Sequence, residues 1–197
     1  MSSDFFMKIW NEDTSLLQEY LEIGIDSIAD DETLKQIPIV NTIVGVFKLG
    51  RTISDRFFVK KLLYFLYNMQ DIDDDEKEIF RNKYMKDDKG FAEKLILTID
   101  RLDDTDKSKY LASIFKFYGR RKINYNQFRR YCRAINTLNG DEILFLKEHI
   151  NDSDLPTVYG ISLFNAGLGT IINTYGGNDY RISKEGKLFF KCVFEEE

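Results

Sequence analysis

Residues 53–69 read Ile-Ser-Asp-Arg-Phe-Phe-Val-Lys-Lys-Leu-Leu-Tyr-Phe-Leu-Tyr-Asn-Met. Phe57, Phe58, Val59, Leu62, Leu63, Phe65 and Leu66 cover almost every direction around a helix. A helix that is apolar all round belongs in the middle of a bundle, so this stretch is the expected central element.

Downstream of it, Asp71, Asp73 and Asp75 start like a calcium loop. The sixth loop position would be Glu76 where glycine is required, and the twelfth Asn82 where a bidentate Glu is required. A helix start explains the run better: Asp73 caps the first turn and Glu76 closes a capping box. Upstream, a helix is predicted over 14–28, with Asp13 or Thr14 as its cap. Pro38 suits the first turn of another. Helices are also predicted over 91–101, 107–118 and 125–138, and the chain's only other proline is Pro156. Lys61-Leu62-Leu63 is faintly echoed by Lys94-Leu95-Ile96, as stacked helical hairpins would be.

The last fifty residues change character. Helices are predicted over 141–149 and 155–166, with Gly167 ending the second. Strand character follows over 169–174 and 180–182 around the turn residues Tyr175-Gly176-Gly177-Asn178, and Ser183 caps a last helix through Phe194. Apolar residues at 43% and charged residues at 31% are ordinary for a folded chain, and sixteen Phe and eleven Tyr fill a core well. The expected fold is mainly α. A helical body over 1–138 carries a small α+β domain over 139–197 with one β-hairpin.

Helix, helix, hairpin, helix resembles a winged-helix domain. Leu163-Phe164-Asn165-Ala166-Gly167-Leu168 looks like the end of its recognition helix, and Tyr180-Arg181-Ile182-Ser183-Lys184-Glu185-Gly186 like the exit of its wing. The preceding body resembles helical domains of uncharacterised bacterial proteins, and Lys122-Ile123-Asn124-Tyr125-Asn126-Gln127-Phe128 is similar to helix-hairpin turns of the TerB-like kind. Winged helices most often bind DNA, yet no Lys or Arg occurs between Lys147 and Arg181, where Glu148, Asp152, Asp154 and Asp179 lie. Duplex DNA would repel a recognition helix without a cation, so a protein-contact or purely structural role is expected of this tail.

Charge is strongly segregated behind a formal net charge of -5. Residues 1–32 hold nine acids and one base, whereas 107–140 hold nine bases and no acid. Helical geometry puts Leu111, Ile114, Phe115 and Tyr118 on one face and Lys109, Lys116 and Arg120 on the other. In the next helix Phe128, Tyr131, Cys132 and Ile135 face inward, and Arg129, Arg130 and Arg133 lie away from them. Cations outward and rings inward leave a basic surface without a stacking platform, which suits a phosphate backbone or an acidic protein partner. The candidate partner-binding residues are therefore Lys116, Arg120, Arg121, Lys122, Arg129, Arg130 and Arg133. The same charges could pair within the chain.

No catalytic, metal or cofactor site is expected. His149 is the only histidine, and neither a GxxxxGK[ST] nor a GxGxxG string occurs. Two distant cysteines, Cys132 and Cys192, and a start without a basic-then-apolar leader point to the cytoplasm. The leading expectation is a non-enzymatic accessory or regulatory protein that binds an acidic protein. The first alternative is nucleic-acid binding through 107–140. The second is a membrane-active effector using the apolar stretch 37–47, which is too short for a stable span of about 20 residues.

Overall fold

The computed structural model describes residues 14–22, 53–78, 91–174 and 177–195. They are mainly helical, with one two-stranded antiparallel hairpin near the C-terminal end. The chain divides into two compact units, Met1–Ala112 and Ser113–Glu197. The expected boundary at 138/139 lies inside the second.

In the first unit, α1 (Thr14–Glu22), α2 (Ile53–Tyr67) and α3 (Phe91–Asp100) are the named helices, and 74–78 is also helical. α2 packs against both α1 and α3. Its Phe58, Val59, Leu62, Leu63, Phe65 and Leu66 are all buried, as the all-round apolar pattern requires, while Phe57 is half-exposed. The capping box forms: Glu76 N donates to Asp73 Oδ1 at 2.7 Å, and Asp73 N donates to Glu76 Oε2 at 3.3 Å. The two lysines of the internal echo differ in setting, since Lys61 is buried and Lys94 exposed. The expected continuation of the first helix past residue 22 and the stretch 37–47 lie outside the described residues.

α4 (Lys107–Gly119) runs through the division between the units. The second unit continues with α5 (Tyr125–Thr137), α6 (Gly140–Glu148), α7 (Thr157–Asn165), β1 (Gly169–Thr174), β2 (Gly177–Ile182) and α8 (Lys184–Phe194). Asn124 and Asn139 each close a capping box, with Gln127 and Glu142, so α5 and α6 start sharply. Ser183 caps α8 by accepting from Gly186 N at 3.1 Å.

The hairpin departs from expectation in two places. Gly177 and Asn178 belong to β2, paired with Thr174 and Asn173, so the strand is longer and the loop shorter than the turn residues suggest. Leu155 does not open α7. It makes a bridge to Tyr180, Leu155 N donating to Tyr180 O at 2.9 Å, because Pro156 biases the residue before it toward extended backbone.

Close approaches pin the hairpin to the helices around it. A Cβ on Gly160 would stand 2.3 Å from Tyr180 Cβ, and one on Gly186 would stand 2.2 Å from the Leu168 carbonyl oxygen. Only glycine fits at either point.

Candidate functional site

The seven cations singled out above all fall in the second unit, on the end of α4, the turn after it, and α5. α5 is held by its inner side: Phe128, Tyr131, Cys132, Ala134 and Ile135 are buried. Phe128 stacks on Tyr118 with ring centroids 4.8 Å apart and meets Phe115 edge-on at 6.1 Å. Burying each such ring contributes about 1.5–3 kcal/mol, enough to fix which way the helix faces. Its other side, carrying Arg129, Arg130 and Arg133, is exposed.

The arginines of that side do different things. Arg129 lies over the Tyr125 ring, 5.8 Å from its centroid, which steadies the guanidinium and leaves its charge outward. Arg133 is exposed, and no carboxylate among the described residues pairs with it. Arg130 turns toward the protein. Its stem passes 3.8 Å from where a Cβ on Gly167 would stand, and its Nη1 is 3.9 Å from Glu185 Oε2. An exposed pair at that distance is worth at most about 1 kcal/mol, so Arg130 is partly committed to internal charge.

Glu185 is a residue that charge counting does not find. It accepts from Tyr131 Oη at 2.9 Å and from Gln127 Nε2 at 3.5 Å, joining the start of α8 to α5. Burial first, and then the hydrogen bond to Glu185, push the Tyr131 phenol far above its usual range. Glu185 at the first turn of α8 also suits the positive end of the helix dipole.

The turn between α4 and α5 holds the most unusual backbone. α4 ends with Arg121 N donating to Tyr118 O at 3.1 Å and Lys122 N donating to Phe117 O at 3.0 Å. That closing pattern puts residue 121 in the left-handed region, and Arg121 has φ 61°. Glycine is the usual occupant; a side chain there costs about 1 kcal/mol or more. Arg121 is exposed, with no carboxylate paired to it among the described residues. Lys122 is exposed as well, while Lys116 and Arg120 are half-buried and engaged by neighbours.

The remaining two cations of the basic segment are neutralised locally. Lys107 Nζ lies 2.5 Å from Asp103 Oδ1 and Lys109 Nζ 3.5 Å from Asp106 Oδ1. The rings interspersed among the cations are mostly unavailable: Phe115, Phe117, Tyr118, Phe128 and Tyr131 are buried.

Three other groupings carry titratable or nucleophilic side chains. A cavity of about 270 Å³ in the first unit is lined by Phe57, Lys61, Tyr64, Leu102 and Asp103, among others. Burial lowers the Lys61 pKa, against the pull of Asp100 and Asp103. Its ammonium donates to Asp100 O and, at 2.7 Å, to Leu102 O, which makes Lys61 the terminal cap of α3. Cys132 and Cys192 are buried free thiols, and burial pushes Cys132 up to about 12. A thiol so hard to ionise is a poor nucleophile. His149 Nδ1 lies 2.6 Å from Asp152 Oδ2, and its ring stacks on Phe145, which in turn stacks on Tyr159 at 3.8 Å. That column of rings joins α6 to α7. Among the described residues no group of three His, Cys, Asp or Glu is placed to hold a metal ion, and no helix is long and apolar enough to cross a membrane.

Set against family models, curated proteins and solved structures, the chain matches none.

Proposed function

We propose that this chain is a non-enzymatic interaction protein, accessory or regulatory, which binds an acidic protein through the α4–α5 turn and the outer side of α5. Arg121, Lys122, Arg129 and Arg133 form the centre of that surface, with Lys116 and Arg120 at its α4 edge. Arg130 contributes less, because Glu185 draws on its charge.

The observation that carries the reading is Arg121. A position where glycine would be more stable holds an exposed arginine instead. Such strain is tolerated where the side chain has work to do. Arg129 and Arg133, one helical turn apart on the exposed side, extend the same positive surface. On this reading residues 139–197 are a winged-helix-like domain turned to protein contact, the body is related to TerB-like and other bacterial helical domains, and the protein works in the cytoplasm.

Nucleic-acid binding is the second reading, favoured by the count of cations alone. Five of the interspersed rings are buried, which supports the acidic-protein reading, since a single strand needs rings to stack on.

Fluorescence anisotropy of the full chain decides between them, with a labelled Glu/Asp-rich peptide, a DNA duplex and a single strand as probes. The acidic peptide is expected to bind at low salt, and Arg129→Glu/Arg133→Glu is expected to weaken it by about tenfold or more. Tight duplex or single-strand binding with no binding of the acidic peptide would overturn the proposal in favour of the second reading. The membrane-active alternative through 37–47 predicts leakage of anionic liposomes, and protein binding without leakage would remove it.

A further inference from the structure

Lys61 carries a charge that the fold buries without a counter-charge. The residue is 7% exposed. Its ammonium donates to two backbone oxygens, those of Asp100 and Leu102, and no carboxylate pairs with it among the described residues. An ammonium has three N–H groups, so one donor is left over. Asp100 and Asp103 favour its proton from beyond ion-pair reach, and burial outweighs them. A buried charge ordinarily has both a partner of opposite sign and a full set of hydrogen bonds, because leaving it bare is costly.

Lys61 lines the cavity of about 270 Å³ in the first unit, which has two walls. One is a stripe of α2, where the spacing of Phe57, Lys60, Lys61 and Tyr64 puts them on one helix face. The other is the link 102–105 between α3 and α4. Phe57, Tyr64 and Leu102 give the cavity apolar surface beside its cations. Pockets for drug-sized ligands start at about 300 Å³, so this one takes a compact molecule of a single ring.

Charge decides the sign of the occupant. The acids on the second wall are already engaged. Asp103 pairs with Lys107, and Asp104 accepts from Asp106 N at 2.9 Å where α4 begins. Lys60 is half-buried, and no acid pairs with it among the described residues. Among the lining residues and their ion-pair partners, Lys60, Lys61 and Lys107 stand against Asp103 and Asp104. One positive charge is left over, which fits a single negative charge.

We propose that this cavity binds a small monocarboxylic acid carrying one ring. Its carboxylate accepts the third N–H of Lys61 and lies beside the Lys60 ammonium, while its ring lies against Phe57, Tyr64 and Leu102. The site belongs to the first unit and the basic surface of α5 to the second, so it goes beyond the function proposed above.

The test titrates the full chain with benzoate, benzamide and inorganic phosphate, following amide shifts by NMR. Benzoate is expected to move amides of 57–64 and 102–105. It is expected to bind about tenfold or more tightly than benzamide, which keeps the ring without the charge, or phosphate, which keeps charge without the ring. Bound benzoate is also expected to raise the Lys61 pKa, read from the lysine ε-carbon resonances, because it supplies the missing counter-charge. Lys61 itself stays in place, since it also caps α3. Lys60→Gln and Phe57→Ser, which touch neither end of α2, are each expected to lose about threefold or more in affinity with the thermal midpoint retained. Arg129→Glu/Arg133→Glu is expected to leave this binding unchanged, which separates it from the protein-binding surface. No shift with benzoate, or benzamide or phosphate binding as tightly, would overturn the proposal. So would a Lys61 pKa that bound benzoate leaves where it was, or full affinity in both single variants.

Discussion

Helices α5 and α7 belong to the same unit and are each buried along one side, yet they present opposite surfaces to water. α5 shows Arg129 and Arg133, whereas α7 shows Val158, Ile161 and Phe164. On α5 the inner side is a stack of rings and a thiol; on α7 it is Gly160 and Leu163 pressed onto a hairpin. A cation on an outer side needs no special support. An apolar outer side persists only because the packing beneath it leaves no freedom to turn.

The largest expected effect comes from pH and separates the two inner sides. Cys132 on α5 is held protonated up to about 12, and Tyr131 is also raised, mainly by burial. Each is neutral when protonated, and the unfolded chain releases these protons first. Stability is therefore fully present below about pH 9 and declines as pH rises from there toward 12, by roughly 1.4 kcal/mol per pH unit for a fully shifted thiol. Urea unfolding across pH 8–11 should show this slope, and Cys132→Ala should flatten its first part. The inner side of α7 sets Gly160 against Tyr180 and holds no cysteine.

Next in size is Gly186→Val. Its Cβ would collide with the Leu168 carbonyl, and Ile182 Cγ2 is 2.8 Å away, so a loss of about 3 kcal/mol is expected in chemical denaturation. It acts by displacing α8 from the hairpin that supports α7. Smaller, and opposite in sign, is Arg121→Gly. Relief of the left-handed backbone should stabilise the chain by about 1 kcal/mol while weakening its hold on an acidic peptide. If stability rises and binding is untouched, the strain at Arg121 has no bearing on function.

These differences explain what could be read from the chain directly. The central helix α2 was legible because its apolar residues fill every direction, and one buried environment answers that pattern. α5 was legible because cations and rings alternate with helical period, so its inner and outer sides separate on paper. The outer side of α7 was not, since an exposed Val or Phe looks the same in sequence as a buried one; only the glycine contacts reveal which way the helix is locked. The charge of Arg121 is plain in the sequence, but nothing local to it signals φ 61°. Glu185 escaped notice because its partners lie more than fifty residues away. The extension of β2 to Gly177 was hidden by turn-forming residues that the strand pairing overrides.

The smallest expected effects are on stability at the two outer sides. Arg129→Glu/Arg133→Glu and Val158→Ser/Ile161→Ser should each shift unfolding free energy by no more than about 0.5 kcal/mol. A large loss in the first pair would mean that the arginines hold the fold together.

Hydrogen–deuterium exchange of the full chain, with and without a saturating acidic peptide, tests the division between the two helices most directly. Slowed exchange is expected in 120–133 and unchanged exchange in 157–165. Protection centred on 157–165, or none anywhere on a peptide shown to bind, would contradict the account.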